Sequence, residues 1–249
     1  MDRQYNEFHK NSKIQKKPIR RNNFTYRLII EEVEKILLGL KRGHIKILDY
    51  GCGVGTLAFY LASIGNDVTG VDISPLSIEL CNKSAREMNL DGKVGFSVNR
   101  DFWSKLKKVS SKFDLIVCSE VIEHVRNDIG LLKKLSRILN NEGCILLTTP
   151  SKNAPLFKMG FAKSFDKKVG HLRRYDVESL IAMFERVGMR VEKVRKAEGV
   201  LRNSLFLIPQ LEIFIKFLKG LFSNTVTFID EALVGLMGES NIFIIARKI

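Results

Sequence analysis

Residues 45–55 read Ile45-Lys46-Ile47-Leu48-Asp49-Tyr50-Gly51-Cys52-Gly53-Val54-Gly55. An apolar run ends in an acid, and three glycines follow at alternate positions. Thr56-Leu57-Ala58-Phe59-Tyr60-Leu61-Ala62 then reads as the start of a helix. The pattern is strand, tight turn, helix. Glycine permits left-handed backbone conformations and lets a ligand approach the main chain closely. The first turn of the helix offers unpaired N–H groups and the positive end of a dipole. In an open parallel sheet such a turn lies at the carboxyl end of its strand, where ligands bind.

Two details separate this turn from a dinucleotide site. Thr56 stands where the dinucleotide fingerprint requires its third glycine. Asp49, two residues before Gly51, sets a carboxylate beside the ligand, which repels a pyrophosphate and attracts a cationic amino acid group. The next strand, Asp67-Val68-Thr69-Gly70-Val71-Asp72, ends in an acid seventeen residues after Gly55, placed to accept ribose hydroxyls.

Glycine turn, preceding acid and second-strand acid together resemble the class I S-adenosylmethionine (SAM)-dependent methyltransferases, over about Ile45–Ala197. The resemblance implies an α/β fold, a Rossmann-like, seven-stranded, mostly parallel sheet with an antiparallel last strand and helices on both faces. It implies SAM as cofactor, held by Asp49, Gly51, Cys52, Gly53, Gly55, Asp72 and Ile73. In several such enzymes a basic residue near the first helix grips the methionine carboxylate. Arg27 matches, at the head of an apolar periodicity over residues 25–41, and a surface arginine is the alternative. An acid after the third strand bonds the adenine amino group in the family and an apolar neighbour stacks on the ring. Asp101 and Phe102 match by position, although Asp101 also reads as a helix cap. Ser119 and Glu120 stand at the carboxyl end of the fourth strand, Phe113–Cys118.

Glu120, Glu123 and His124 follow that strand with E-x-x-E-H spacing, which gathers them on one side of a helical turn. Such a group is either a charge-balanced cap network or a set of ligands for a divalent ion such as Mg2+. The same letters occur in enzymes resembling the ubiquinone-pathway O-methyltransferases and the small-RNA 3′-end methyltransferases, and members of both hold a metal there. Downstream, Gly170-His171-Leu172-Arg173-Arg174-Tyr175 resembles the G-H-x-R-x-[YF] segment of ubiquinone-type and envelope-lipid-type methyltransferases. It lies in an expected substrate loop over 150–175. His171 is placed to act as a general base, with His124 and Glu120 as further catalytic candidates, or to join Glu120, Glu123 and His124 around a metal. A structural histidine is the competing reading. Arg173 and Arg174 read as a phosphate or carboxylate grip, or as a solvated pair.

The chain has 249 residues and a formal net charge of +14. That excess implies an acidic partner or a basic tail. Residues 1–23 carry seven basic residues against two acids and read as a flexible basic arm. Residues 24–249 then form one domain. Four scattered cysteines without a C-x-x-C motif read as buried small side chains in a reducing compartment. A polar N-terminus and no run of eighteen apolar residues point to a cytoplasmic protein.

The chain departs from the family between its sixth strand and Asn241–Ala246, the expected last strand. The intervening 199–240 is an apolar helical insertion, with Ile213, Phe214, Phe217, Leu218, Leu221 and Phe222 in a stripe beside Lys216 and Lys219. Such a stripe suits an interfacial membrane helix, a lid, a dimer contact or plain core packing. The expected acceptor is therefore a small or lipid-linked, anionic molecule, methylated on oxygen, with peripheral membrane contact through 199–240. RNA methylation and a non-catalytic SAM-binding protein are the alternatives, and little aromatic interleaving of the basic residues weighs against RNA.

Overall fold

The computed structural model describes residues 12–40, 44–106, 112–207 and 221–248. Helix α1 (Arg27–Leu40) precedes the sheet. Then follow β1 (Lys46–Tyr50), α2 (Thr56–Ser63), β2 (Asp67–Asp72), α3 (Pro75–Glu87), β3 (Val94–Val98), α4 (Asn99–Leu106) and β4 (Phe113–Ser119). A 3-10 turn at Ile122–His124 leads to α5 (Asp128–Arg137) and β5 (Leu139–Pro150). The second half holds α6 (Pro155–Lys158), α7 (Ala162–Val169), α8 (Val177–Arg186), β6 (Met189–Ala197), α9 (Val200–Leu207), α10 (Leu221–Met237) and β7 (Asn241–Lys248).

The seven strands lie in the order β3-β2-β1-β4-β5-β7-β6. Strands β1 to β5 pair in parallel, and β7 enters between β5 and β6 antiparallel to both. The central strands β1 and β4 are almost wholly buried because helices cover both faces. One core cluster joins α1 and α2 to the sheet, and a second joins α5 and α8 to its other face. Local signals set the helix starts. Ser74 caps α3 by accepting from Ser77 N at 3.2 Å with Pro75 in the first turn, and Asp176 and Ser179 form a capping box on α8.

Two expectations change. The arm anticipated over 1–23 is not loose where it is described. Gln15 N donates to Ser84 Oγ, and Gln15 Nε2 donates to Val54 O at 2.8 Å and to Thr56 Oγ1. Residues 12–23 thus cross the glycine turn instead of trailing from it, and residues 1–11 lie outside the described residues. The 150–175 loop contains two helices, α6 and α7. Most of the apolar stripe at 213–222 falls outside the described residues.

Gly51 is the tightest point of the first crossover. Its φ is +84°, and a Cβ there would stand 2.3 Å from Val121 Cγ2. Gly51→Ala should lower unfolding free energy by about 1–3 kcal/mol in urea titration. Gly92→Ala, where a Cβ meets nothing within 4 Å, should change it by less than about 0.5 kcal/mol.

Candidate active site

The glycine turn is held from below by backbone and from the side by a carboxylate. Gly51 N and Cys52 N both donate to Val71 O, at 2.7 and 3.0 Å. Gly53 N donates to Asp72 Oδ2 at 2.9 Å, and Asp72 Oδ1 accepts from Ser74 N at 2.8 Å. Gly51, Gly53 and Gly55 all have positive φ, and Gly55 serves as the N-cap of α2. The ends of β1 and β2 are thereby tied together.

Asp49 sits beneath this turn. It is buried, and its Oδ2 has no hydrogen-bond partner. Burial, and then the charge of Asp72, push its pKa up to about 7, against a lowering hydrogen bond from the Ala58 backbone. A buried acceptor with nothing to accept is costly unless a ligand supplies the donor.

A cavity of about 500 Å³ opens over both acids. Asp49, Gly51, Cys52, Gly53 and Asp72 line one end, and Ser119, Glu120, His124 and His171 line the other. These expected site residues are brought together. Six others are not at the cavity wall, the fully buried Glu123 among them. Gly55 lies behind the turn. Arg27 sends its guanidinium to Asn224 Oδ1 at 2.8 Å and to Glu31, bracing α1 against α10. Ile73 points outward and is exposed. Asp101 is exposed beside Arg100, and Phe102 is core, packed edge-on against Trp103. Neither residue of this expected pair lines the cavity, and both lie in the first turn of α4, which begins at Asn99.

Other wall residues had no sequence signal. Tyr26 stands at the start of α1, and Glu198, Asn203 and Asn241 come from the insertion and its flanks. They reach the cleft from chain segments with no local motif. Glu198 adopts φ +56°, a strained conformation for a side-chain-bearing residue.

The E-x-x-E-H group divides in two. Glu120 Oε1 accepts from Thr148 Oγ1 at 3.0 Å and from Asn241 Nδ2 at 2.9 Å. It is part of the wall and does not join the other three. Glu123 is fully buried, and its Oε2 accepts from Thr149 Oγ1 at 3.0 Å. Its Oε1 has no hydrogen-bond partner and lies 3.9 Å from His124 Nε2 and 4.0 Å from His171 Nε2. Glu123, His124 and His171 therefore form the cluster, with donor atoms within 4.8 Å of one another, and the expected quartet with Glu120 does not form. The cause is the positive φ of Glu120, +54°, which throws its side chain toward β5 and β7.

Burial, and then Glu120, hold Glu123 well above the usual carboxylate range. Burial, and then His171, push His124 down to about 4, so it is a neutral imidazole at neutral pH. His124 Nδ1 faces Gly170 O at 3.1 Å and must carry the hydrogen. His171 Nδ1 faces Asp166 Oδ1 at 2.8 Å. Asp166 also accepts from Arg174 Nε and Nη2, at 2.7 and 2.6 Å. Burial would raise Asp166, but the His171 and Arg174 hydrogen bonds outweigh it and keep the carboxylate ionised. The anion grip expected of Arg173 and Arg174 is answered within the protein, since Arg173 pairs with Asp128 at 2.8 Å.

A family profile described as a methyltransferase domain matches residues 20–194, and the chain belongs to that family. With its Rossmann-like sheet it is a class I SAM-dependent methyltransferase. The chain is 29% identical over 115 residues to a ubiquinone biosynthesis O-methyltransferase of Actinobacillus pleuropneumoniae, covering 46% of this chain and 49% of that protein. It is 36% identical over 108 residues to the mitochondrial enzyme of that name in Schizosaccharomyces pombe, covering 43% and 38%. The match spans about half the length of these curated relatives, or less. Among solved structures, the fold resembles magnesium protoporphyrin IX methyltransferase from Synechocystis with bound S-adenosylhomocysteine, with a TM-score of 0.62 at 13% identity, covering 99% of this chain and 94% of that one.

A pH series tests whether Asp49 meets the ammonium of SAM, because ionisation of its carboxylate is completed as pH rises through about 7. Calorimetry should find SAM binding about tenfold tighter at pH 8 than at pH 6. Asp49→Asn should bind more weakly and show no such rise.

Proposed function

We propose that the protein transfers the methyl group of SAM to a hydroxyl oxygen of a small or lipid-linked acceptor, with His171 as the base. The observation that carries this reading is one continuous cavity, lined both by Asp49, whose Oδ2 is unpaired, and by His124 and His171. The curated relatives named as O-methyltransferases support oxygen as the acceptor atom.

The reaction is an in-line displacement. The acceptor oxygen attacks the methyl carbon, the carbon–sulfur bond breaks, and its electron pair returns to sulfur as a neutral thioether. The activated methyl belongs to the cofactor. The chain's task is alignment, which contributes on the order of 7–11 kcal/mol in well-oriented pairs, and removal of one proton. Asp49 and the glycine turn orient the amino acid end of SAM, and Asp72 stands beside the turn for the ribose. Asp166 takes the Nδ1 hydrogen of His171, so Nε2 carries the lone pair and receives the hydroxyl proton. Arg174 balances the Asp166 charge, so the imidazolium that forms faces an ion pair already in place.

One observation favours a second role for the same cluster. The buried, unpaired Glu123 Oε1 and the two Nε2 atoms would hold a divalent cation, which lowers the pKa of a bound hydroxyl. Two imidazoles and one carboxylate suit a zinc- or manganese-class ion better than Mg2+. His171 Nε2 has one lone pair and serves either as base or as ligand.

His171→Ala and Asp166→Asn should lower S-adenosylhomocysteine formation about 10²–10⁴-fold across a panel of hydroxyl-bearing acceptors while leaving SAM affinity unchanged. Full turnover by His171→Ala would remove the base. Titration with Zn2+, Mn2+ and Mg2+ should show one site, lost in Glu123→Gln, if the cation reading holds, and no saturable binding if it does not.

A further inference from the structure

We propose that the cap over the cavity mouth, built from α6, α7, α9 and α10, docks on an anionic lipid bilayer through the Lys158–Phe161 tip and the outer face of α10. The proposal deepens the lipid-linked reading of the acceptor and rests on it for its purpose. The binding itself is measurable without turnover.

The tip lies between α6 and α7. Met159 and Phe161 are each 67% exposed, and Lys158 and Lys163 flank them. Gly160 between them has φ +87° and nothing within 4 Å of the position of a Cβ, so the turn projects from the surface. Apolar side chains held out on a tight turn beside lysines are the composition of an interfacial anchor.

Helix α7 continues this surface. Lys163, Lys167 and Lys168 are exposed, and Lys168 lines the cavity together with Phe165 and Val169. Its one acid, Asp166, turns inward to His171 and Arg174. The outer face of α7 is therefore basic with no acid of its own, and its inner face is part of the acceptor end of the cavity.

Helix α10 supplies the second patch. Phe228 is 75% and Leu236 83% exposed, with exposed Ala232 midway between them, one turn from each. The helix carries two acids, and neither belongs to this stripe. Asp230 is buried and accepts from the backbone N–H groups of Gly199, Leu201 and Arg202, and Glu231 pairs with Arg195. Helix α6 packs on α9 and α9 on α10. Gly238, just beyond α10, sits against Asn153, whose Oδ1 accepts from Lys158. The end of α10 and the base of the tip thus share one edge of the cap.

Charge selects the occupant. A second copy on this face would set Lys163 and Lys167 against their own counterparts. An anionic headgroup layer neutralises them, each lysine near the surface adding about fivefold in partitioning. No helix among the described residues is long and apolar enough to cross a membrane, so contact would be interfacial.

The test is flotation of the full chain with vesicles of phosphatidylcholine, with and without phosphatidylglycerol. We expect binding to the anionic vesicles, at least tenfold weaker binding to neutral ones, and loss in high salt. The paired change Met159→Asp, Phe161→Asp should weaken binding at least tenfold. Lys163→Glu with Lys167→Glu should remove the preference for anionic lipid. Leu38→Asp, an exposed position on α1, should change nothing. All variants should keep the wild-type melting temperature and SAM affinity. Absence of flotation, or flotation unaffected by both sets of changes, overturns the proposal. So does a dimer in light scattering that Phe228→Asp abolishes, or RNA retardation that the lysine changes abolish while vesicles remain unbound. Vesicle binding by a protein that methylates only water-soluble acceptors would keep the docking surface and sink the lipid-linked acceptor. Methyl transfer to a lipid-linked acceptor without vesicle binding would do the reverse.

Discussion

The hydrogen bond from Gly53 N to Asp72 Oδ2 is the contact on which the cofactor end depends. It ties the turn after β1 to the tip of β2, and the same carboxylate accepts from Ser74 N and so starts α3. Strand ends, turn and two helices are thereby referred to one side chain. With the turn fixed, Asp49 is trapped beneath it with its Oδ2 unpartnered, and its raised pKa follows from that burial. Its Oδ2 carries the cost of an unmet hydrogen bond.

At the far end the logic is reversed. There the charges are either suppressed or balanced inside the protein. His124 is neutral because it is buried, Glu123 resists ionisation for the same reason, and Asp166 keeps its charge only because Arg174 and His171 hydrogen-bond to it. Asp166 orients the His171 ring through Nδ1, at 2.8 Å. Low dielectric strengthens each of these contacts.

The insertion after β6 closes the cleft. Arg202 is fully buried, donates to Phe24 O at 2.8 Å and lies over the Phe24 ring, while Arg195 reaches Glu32 at 2.9 Å. Arg202 thus ties α9 to the segment before α1, and Arg195, on β6, joins α1 through Glu32 and α10 through Glu231. They leave an outer surface that is apolar on α10 and basic on α7.

The sequence by itself determined the fold class, the glycine turn, both acids that flank it and the helix caps at Ser74 and Asp176. Each of these is local, written in spacing and residue type within a few positions, and local preferences survive folding when the sheet agrees with them. It also marked His124, Glu123 and His171 through short motifs. Tertiary structure alone decided that Glu120 leaves that group for Thr148 and Asn241, that Phe102 is core, and that Arg27 braces α10. It also paired Asp166 with His171 and brought Tyr26, Glu198 and Asn203 to the wall. Those outcomes depend on side-chain direction and on contacts between segments far apart in the chain, and neither spacing nor residue type encodes them.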